Sequence, residues 1–144
     1  MNGVVYRNAV LVDTSAALAL ANKRDPYHQL ARDCWTQLQS KCVFCALEVT
    51  AHESFTRARY DLTLWRGLLA YRGLRKCVRS LRFEPADEDR ALGLLRKYRD
   101  KKLSFHDALC AAVMLRHGLY QVFTFDSDFW AFGFQVLPGT TRPR

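Results

Sequence analysis

Alternation is the feature that most restricts how this chain can fold. Short apolar runs at Val4 to Val12, Cys42 to Cys45, Val78 to Phe83, Val122 to Phe125 and Phe134 to Leu137 are separated by segments that are mostly longer and of helical periodicity. Runs this short, bounded by polar or turn residues, read as buried strands, and the longer segments read as helices. Strands that alternate with helices pair in parallel, with the helices covering both faces of the sheet. The expectation is therefore an α/β protein, a three-layer α/β/α sandwich around a mostly parallel sheet. With 144 residues it reads as a single domain over 1–144, able to bury roughly 68–70% of its unfolded surface.

The helices have their own signals. SAALALA after Asp13 is short and apolar, and Asp25-Pro26 reads as an N-cap and N1 pair opening a helix to about Gln39, with Leu30, Cys34, Trp35 and Leu38 on one face. Two more helices are expected from about Leu47 to Arg59 and from Leu62 to about Arg75. Pro85-Ala-Asp-Glu-Asp places acids in the first turn of a helix whose apolar face is Ala91, Leu94, Leu95 and Tyr98. Ser104-x-x-Asp107 reads as a capping box for a nearly continuous apolar helix that Gly118 ends.

In parallel α/β sheets, ligands bind beyond the carboxyl ends of the strands. Asp13 follows the first expected strand and Asp126 ends the fourth, while Glu53 and Asp107 lie on helices, so only folding can assemble the four. Carboxylates in a cluster suit hard cations such as Mg2+ or Mn2+. In phosphodiester hydrolysis such ions activate water and neutralise the leaving oxygen, so no nucleophilic side chain is needed, and none is evident here. Each acid has a structural reading as well. Asp13 alone would pass as an N-cap, Asp107 as the N3 acid of its helix, and Asp126 or Asp128 as turn or cap residues. Those readings taken singly do not explain the order of all four.

The glutamate has two candidates. Glu48 and Glu53 are five positions apart, about 140° around a helix, and cannot both face one site. The apolar periodicity of Leu47, Ala51, Phe55, Ala58 and Leu62 favours Glu48, although Glu48 would fall only about one turn into the helix. Periodicity alone leaves both open. His52 and His106 each stand beside one of these acids. Adjacent helical residues diverge by about 100°, so both histidines are expected to point away.

A net charge of +8 makes a polyanion the first partner to consider. The basic residues gather at Arg72, Arg75, Lys76, Arg79 and Arg82, and again at Arg96, Lys97, Arg99, Lys101 and Lys102. Five cysteines, an odd number set mostly in apolar patterns, suit reduced thiols, and Cys42-Val-Phe-Cys45 has no second ligand pair to complete a zinc site. The apolar run from Ala9 to Ala21 is interrupted by Asp13 and is shorter than the roughly 20 residues of a membrane span, so the protein is read as cytoplasmic. Trp35, Trp65 and Trp130 are read as core or interface residues, and the glycines form no Walker A or Rossmann pattern.

Four motifs in order carry a resemblance: Val12-Asp13-Thr14-Ser15, His52-Glu53-Ser54-Phe55, Ser104-x-x-Asp107-Ala108 and Thr124-Phe125-Asp126-Ser-Asp-Phe. Together they resemble the PIN-domain family of metal-dependent ribonucleases, which includes the toxins of VapC-type toxin–antitoxin pairs. The resemblance spans almost the whole chain. It implies the α/β/α fold, Mg2+ or Mn2+, and endonucleolytic cleavage of RNA. It also implies that Asp13, Glu53, Asp107 and Asp126 surround the metal, with Thr14 or Ser15 supporting and Asp128 as a helper. A cognate antitoxin protein and a homodimer are the implied protein partners. The alternatives are a catalytically silent RNA- or protein-binding module of the same fold and a housekeeping RNA-processing nuclease. A phosphatase forming an aspartyl-phosphate is disfavoured, because Ser15 stands where its second Asp would be.

Overall fold

Ala9–Val12 (β1) has every residue buried, because it lies in the middle of the sheet with helices on both sides. The computed structural model describes residues 8–139. The first four residues of the expected opening strand lie outside them, as does the end of the C-terminal tail. The other strands are Val43–Leu47 (β2), Arg79–Leu81 (β3), Gln121–Phe123 (β4) and Gln135–Leu137 (β5). Their order is β3-β2-β1-β4-β5, and every neighbouring pair is parallel. Val10 pairs with Phe44 on one side and Gln121 on the other, which fixes the register at the centre.

From β1 the chain moves outward to β2 and β3, and from β4 it moves the opposite way to β5. The strand order therefore reverses between β1 and β4, and a crevice opens beyond their carboxyl ends, the usual ligand position in such sheets. Asp13 follows β1 and Asp126 lies just beyond β4.

The helices are Thr14–Ala21 (α1), His28–Leu38 (α2), Glu48–Asp61 (α3), Leu64–Cys77 (α4), Pro85–Lys97 (α5) and Phe105–His117 (α6). Side chains alternate along each strand, so the sheet feeds two cores. Leu11, Cys45 and Val122 pack with Leu109, Val113 and Met114 of α6. Val10, Val12, Phe44 and Phe123 pack toward Ala16 and Ala17 of α1, Cys34 of α2 and Leu74 of α4.

The expected helix at Asp25-Pro26 begins later, at His28. Asp25 instead makes a turn, its Oδ1 accepting the Tyr27 amide at 2.8 Å. Leu30, expected on the apolar face, is exposed, and Ala31 is buried in its place. A 3-10 turn over Ser127–Phe132 separates β4 from β5. The capping box of α6 forms, and Gly118 ends that helix at φ 69°, the left-handed conformation that glycine adopts without strain. Among the described residues no helix is long and apolar enough to cross a membrane.

Candidate metal centre

Asp13 occupies the N-cap position of α1 but caps nothing with its side chain. It is turned inward, 3% exposed. Its Oδ2 accepts from Ser15 Oγ at 3.0 Å and from Thr124 Oγ1 at 2.8 Å. These hydroxyls are themselves fixed, since Ser15 Oγ accepts the Phe125 amide at 2.9 Å and Thr124 Oγ1 the Asp126 amide at 3.0 Å. The other oxygen, Oδ1, is buried with no hydrogen bond. A buried carboxylate oxygen without a donor is costly unless a cation meets it.

Glu53 reaches the same point from α3, its Oε2 accepting a short hydrogen bond from Thr14 Oγ1. Asp107 arrives from the first turn of α6. Its Oδ2 accepts the Ser104 amide at 3.0 Å, and Ser104 Oγ accepts the Asp107 amide at 3.0 Å. Asp126 caps the 3-10 turn, its Oδ1 accepting the Asp128 amide at 2.9 Å. In each of the four carboxylates one oxygen is thus tied to the protein, which fixes its direction. For Asp107 and Asp126 the helix-start role and the site placement are held by one side chain; for Asp13 the cap reading fails.

Asp13, Thr14, Ser15, Glu53, Arg57, Ser104, Asp107, Phe125 and Asp126 line a cavity of about 300 Å³. The structure brings Asp13, Glu53, Asp107, Asp126, Thr14 and Ser15 together there. Asp128 is not in this lining; its described part in the site is the amide given to Asp126. Glu48 stands apart, in an ion pair with Arg82 at 3.3 Å. Burial, then the nearby Asp13 charge, raises the Asp107 carboxyl to about 6, although Ser104 acts in the other direction. Asp126 is raised too, chiefly by burial, with the Asp128 amide and the Arg57 charge opposing. Crowded acids that resist full ionisation are the expected signature of a site that wants a cation. The donors are hard oxygens of the kind Mg2+ or Mn2+ take, so the residues fit such an ion.

His106 corrects the reading from the sequence. Its Nδ1 lies 3.2 Å from Glu53 Oε2, 3.8 Å from Asp13 Oδ1 and 4.0 Å from Asp107 Oδ1. The ring faces the site because a residue of another helix, Thr50 of α3, holds its Nε2 at 2.7 Å. His52 does point away, stacking on Tyr71 with ring centroids 6.1 Å apart. Arg57 and Thr124 were also missed. Arg57 stands one turn beyond Glu53 on α3, and Thr124 opens the fourth motif, so both had a positional signal. Thr50, bonded to His106, had none.

The basic residues divide. Arg75, Lys76 and Arg79 lie where α4 enters β3, at the amino end of that parallel strand and away from the site edge. Lys101 and Lys102 are in the loop that ends at Ser104, itself a lining residue of the cavity. Cys34, Cys45 and Cys110 are buried thiols, whereas Cys77 is exposed. Cys45 is a buried residue of β2 and burial pushes its thiol up to about 12, whereas Cys42 precedes the strand, which starts one residue later than expected.

Residues 10–135 match the family model described as PIN domain. No curated protein sequence matches. VapC20 of Mycobacterium tuberculosis, a toxin that cleaves the sarcin–ricin loop, is 29% identical with a TM-score of 0.78, over 87% of this chain and 95% of that one. PAE2754 of Pyrobaculum aerophilum is 28% identical with a TM-score of 0.59, over 90% and 92%. A toxin–antitoxin complex of Klebsiella pneumoniae is 19% identical with a TM-score of 0.60, over 85% and 90%, a likeness of fold alone.

Proposed function

The chain belongs to the PIN-domain family, and from that premise we propose that it is a metal-dependent endoribonuclease acting as the toxin of a toxin–antitoxin module. The observation that carries the reading is the convergence of Asp13, Glu53, Asp107 and Asp126 on one cavity, with Asp13 Oδ1 buried and unpartnered. These four residues would hold Mg2+ or Mn2+. Such an ion, when bound, supplies charge stabilisation for the phosphate and a water of lowered pKa.

The protein's own part is positional. Ser15 and Thr124 give their hydroxyl protons to Asp13, and Thr14 gives its proton to Glu53. Those hydroxyls are thereby committed as donors and are not nucleophiles. Water is the attacking group, its oxygen bonding to phosphorus as the bond to the ribose oxygen breaks, with the leaving oxygen taking up a proton. Arg57 adds a cation to the cavity wall, where it attracts an anionic phosphodiester. Lys101 and Lys102 extend positive charge along the rim toward flanking phosphates.

The likeness to VapC20 makes a sarcin–ricin loop RNA the first substrate to try. The same likeness to a toxin supports an antitoxin protein as partner; a cytoplasmic setting and a homodimer are what the family resemblance implies. Incubated with that RNA and Mn2+, wild-type protein should cleave it. Asp13→Asn should cut the rate by at least about 100-fold, the upper end of what losing a supporting contact costs a metal site. Glu53→Gln should lose activity and Glu48→Gln keep most of it. An active Asp13→Asn variant would refute the site. Absence of cleavage with metal and RNA retained would favour the silent binding module.

A further inference from the structure

The imidazole of His106 is almost buried and held from behind. Nε2 lies 2.7 Å from Thr50 Oγ1 and 3.6 Å from Cys110 Sγ, while Nδ1 faces oxygens of Glu53, Asp13 and Asp107 within 4.0 Å. The Nε2–Thr50 contact serves either tautomer of the ring; the one with its proton on Nε2, given to the Thr50 hydroxyl, leaves the Nδ1 lone pair facing those carboxylate oxygens. One of these, Asp13 Oδ1, is itself buried without a donor. Either a proton on Nδ1 shared with Glu53 or a bound cation can lie between this nitrogen and the carboxylate oxygens, and the site's other oxygens are arranged for a cation. Asp13, His106 and Cys110 place one ligand atom each within 4.8 Å of one another. Cys110 is fully buried on the Thr50 side of the ring, and burial with the nearby Asp13 and Asp107 charges raises its thiol well above the ordinary range. Its sulfur lies nearer Nε2 than Nδ1, so the donors that face the carboxylate side are nitrogen and oxygen.

We propose that His106 Nδ1 is a nitrogen ligand of the metal centre, which makes this site select Mn2+ over Mg2+. The proposal rests on reading the four carboxylates as a metal site and adds the ligand that sets its preference. Mg2+ favours an all-oxygen octahedron and sheds water reluctantly, whereas imidazole suits first-row transition ions. Thr50 is the supporting contact that orients the ring, as metal-bound histidines commonly require.

The test titrates Mn2+ and Mg2+ into EDTA-stripped protein. Bound Mn2+ is followed by electron paramagnetic resonance, its nitrogen coupling by electron spin echo, and Mg2+ by competition. Wild type should show directly bound nitrogen and prefer Mn2+. His106→Gln keeps an amide near the Nε2 position for Thr50 but lacks Nδ1. It should lose the nitrogen signal and bind Mn2+ about 10–100-fold more weakly, with Mg2+ affinity nearly unchanged. Mn2+ held in wild type without nitrogen coupling, or an unchanged Mn2+/Mg2+ ratio in His106→Gln, overturns the ligand role and leaves the carboxylate site standing. Failure of wild type to bind either ion overturns both. The wild-type spectrum decides even where the variant does not fold.

Discussion

The two faces of the sheet are packed differently. On the α6 face every residue from 107 to 114 is buried, and Ala108, Ala111 and Ala112 let the helix lie close against Leu11 and Val122. On the α1/α2/α4 face a cavity of about 330 Å³ remains, lined by Val12, Ala17, Leu20, Trp35, Leu69 and Leu74 among others. Nearby on α4, Trp65 is 74% and Leu69 53% exposed. The tight face holds the helix whose first turn supplies His106 and Asp107. His106 and Asp107 are thus backed by dense packing, whereas Asp13 to Ser15 adjoin the looser face, whose cavity Val12 and Ala17 line.

The largest effect that would break this comparison is truncation of Met114, fully buried on α6. Met114→Ala should lower unfolding stability by about 2–5 kcal/mol, while Leu69→Ala on the open face should stay within about 0.5 kcal/mol. Chemical denaturation of the two variants checks it, and equal losses would show that the faces are packed alike.

The next effect is a pH dependence that belongs to the tight face. Asp107 has its folded pKa raised to about 6, so the folded state holds its proton more strongly than the unfolded chain. Its contribution to stability is fully present below the ordinary carboxylate range and is lost as pH rises through about 6, on the order of 2–3 kcal/mol. Metal-free wild type should therefore lose stability over this window, and Asp107→Asn should flatten the curve. A metal-free protein that gains stability across the same window would contradict the burial of Asp107.

The smallest effect sharpens the comparison from the open side. A Cβ on Gly73 of α4 meets nothing within 4 Å, whereas one on Gly67 of the same helix would lie 2.9 Å from the Phe55 carbonyl oxygen. Gly73→Ala should raise stability by about 0.4–1 kcal/mol, and Gly67→Ala should lower it. A destabilised Gly73→Ala would mean that the groove is closed in solution.

Much of this was legible in the sequence because local signals and topology agreed. Ser104 and Asp107 announced the start of α6, Gly118 its end, and the short apolar runs the parallel strands. Asp13, Asp107 and Asp126 could be named because their place after strands or at a helix start follows from chain direction; Glu53, inside α3, could be named only through the family resemblance, since apolar periodicity pointed to Glu48. His106 was not legible. Its orientation depends on Thr50 approaching from α3, a tertiary fact. Asp25-Pro26 misled in the other direction, since an Asp before Pro serves a turn as well as a helix cap.

The central claim is that the four carboxylates form a divalent metal site, and thermal melting with and without ion tests it most directly. A ligand bound only by the folded state stabilises it by roughly 2.7 kcal/mol at a hundred times its dissociation constant. Millimolar Mn2+ or Mg2+ should raise the melting temperature of wild type and leave that of an Asp13→Asn/Asp107→Asn double variant unmoved. Equal shifts in the two proteins would contradict the account.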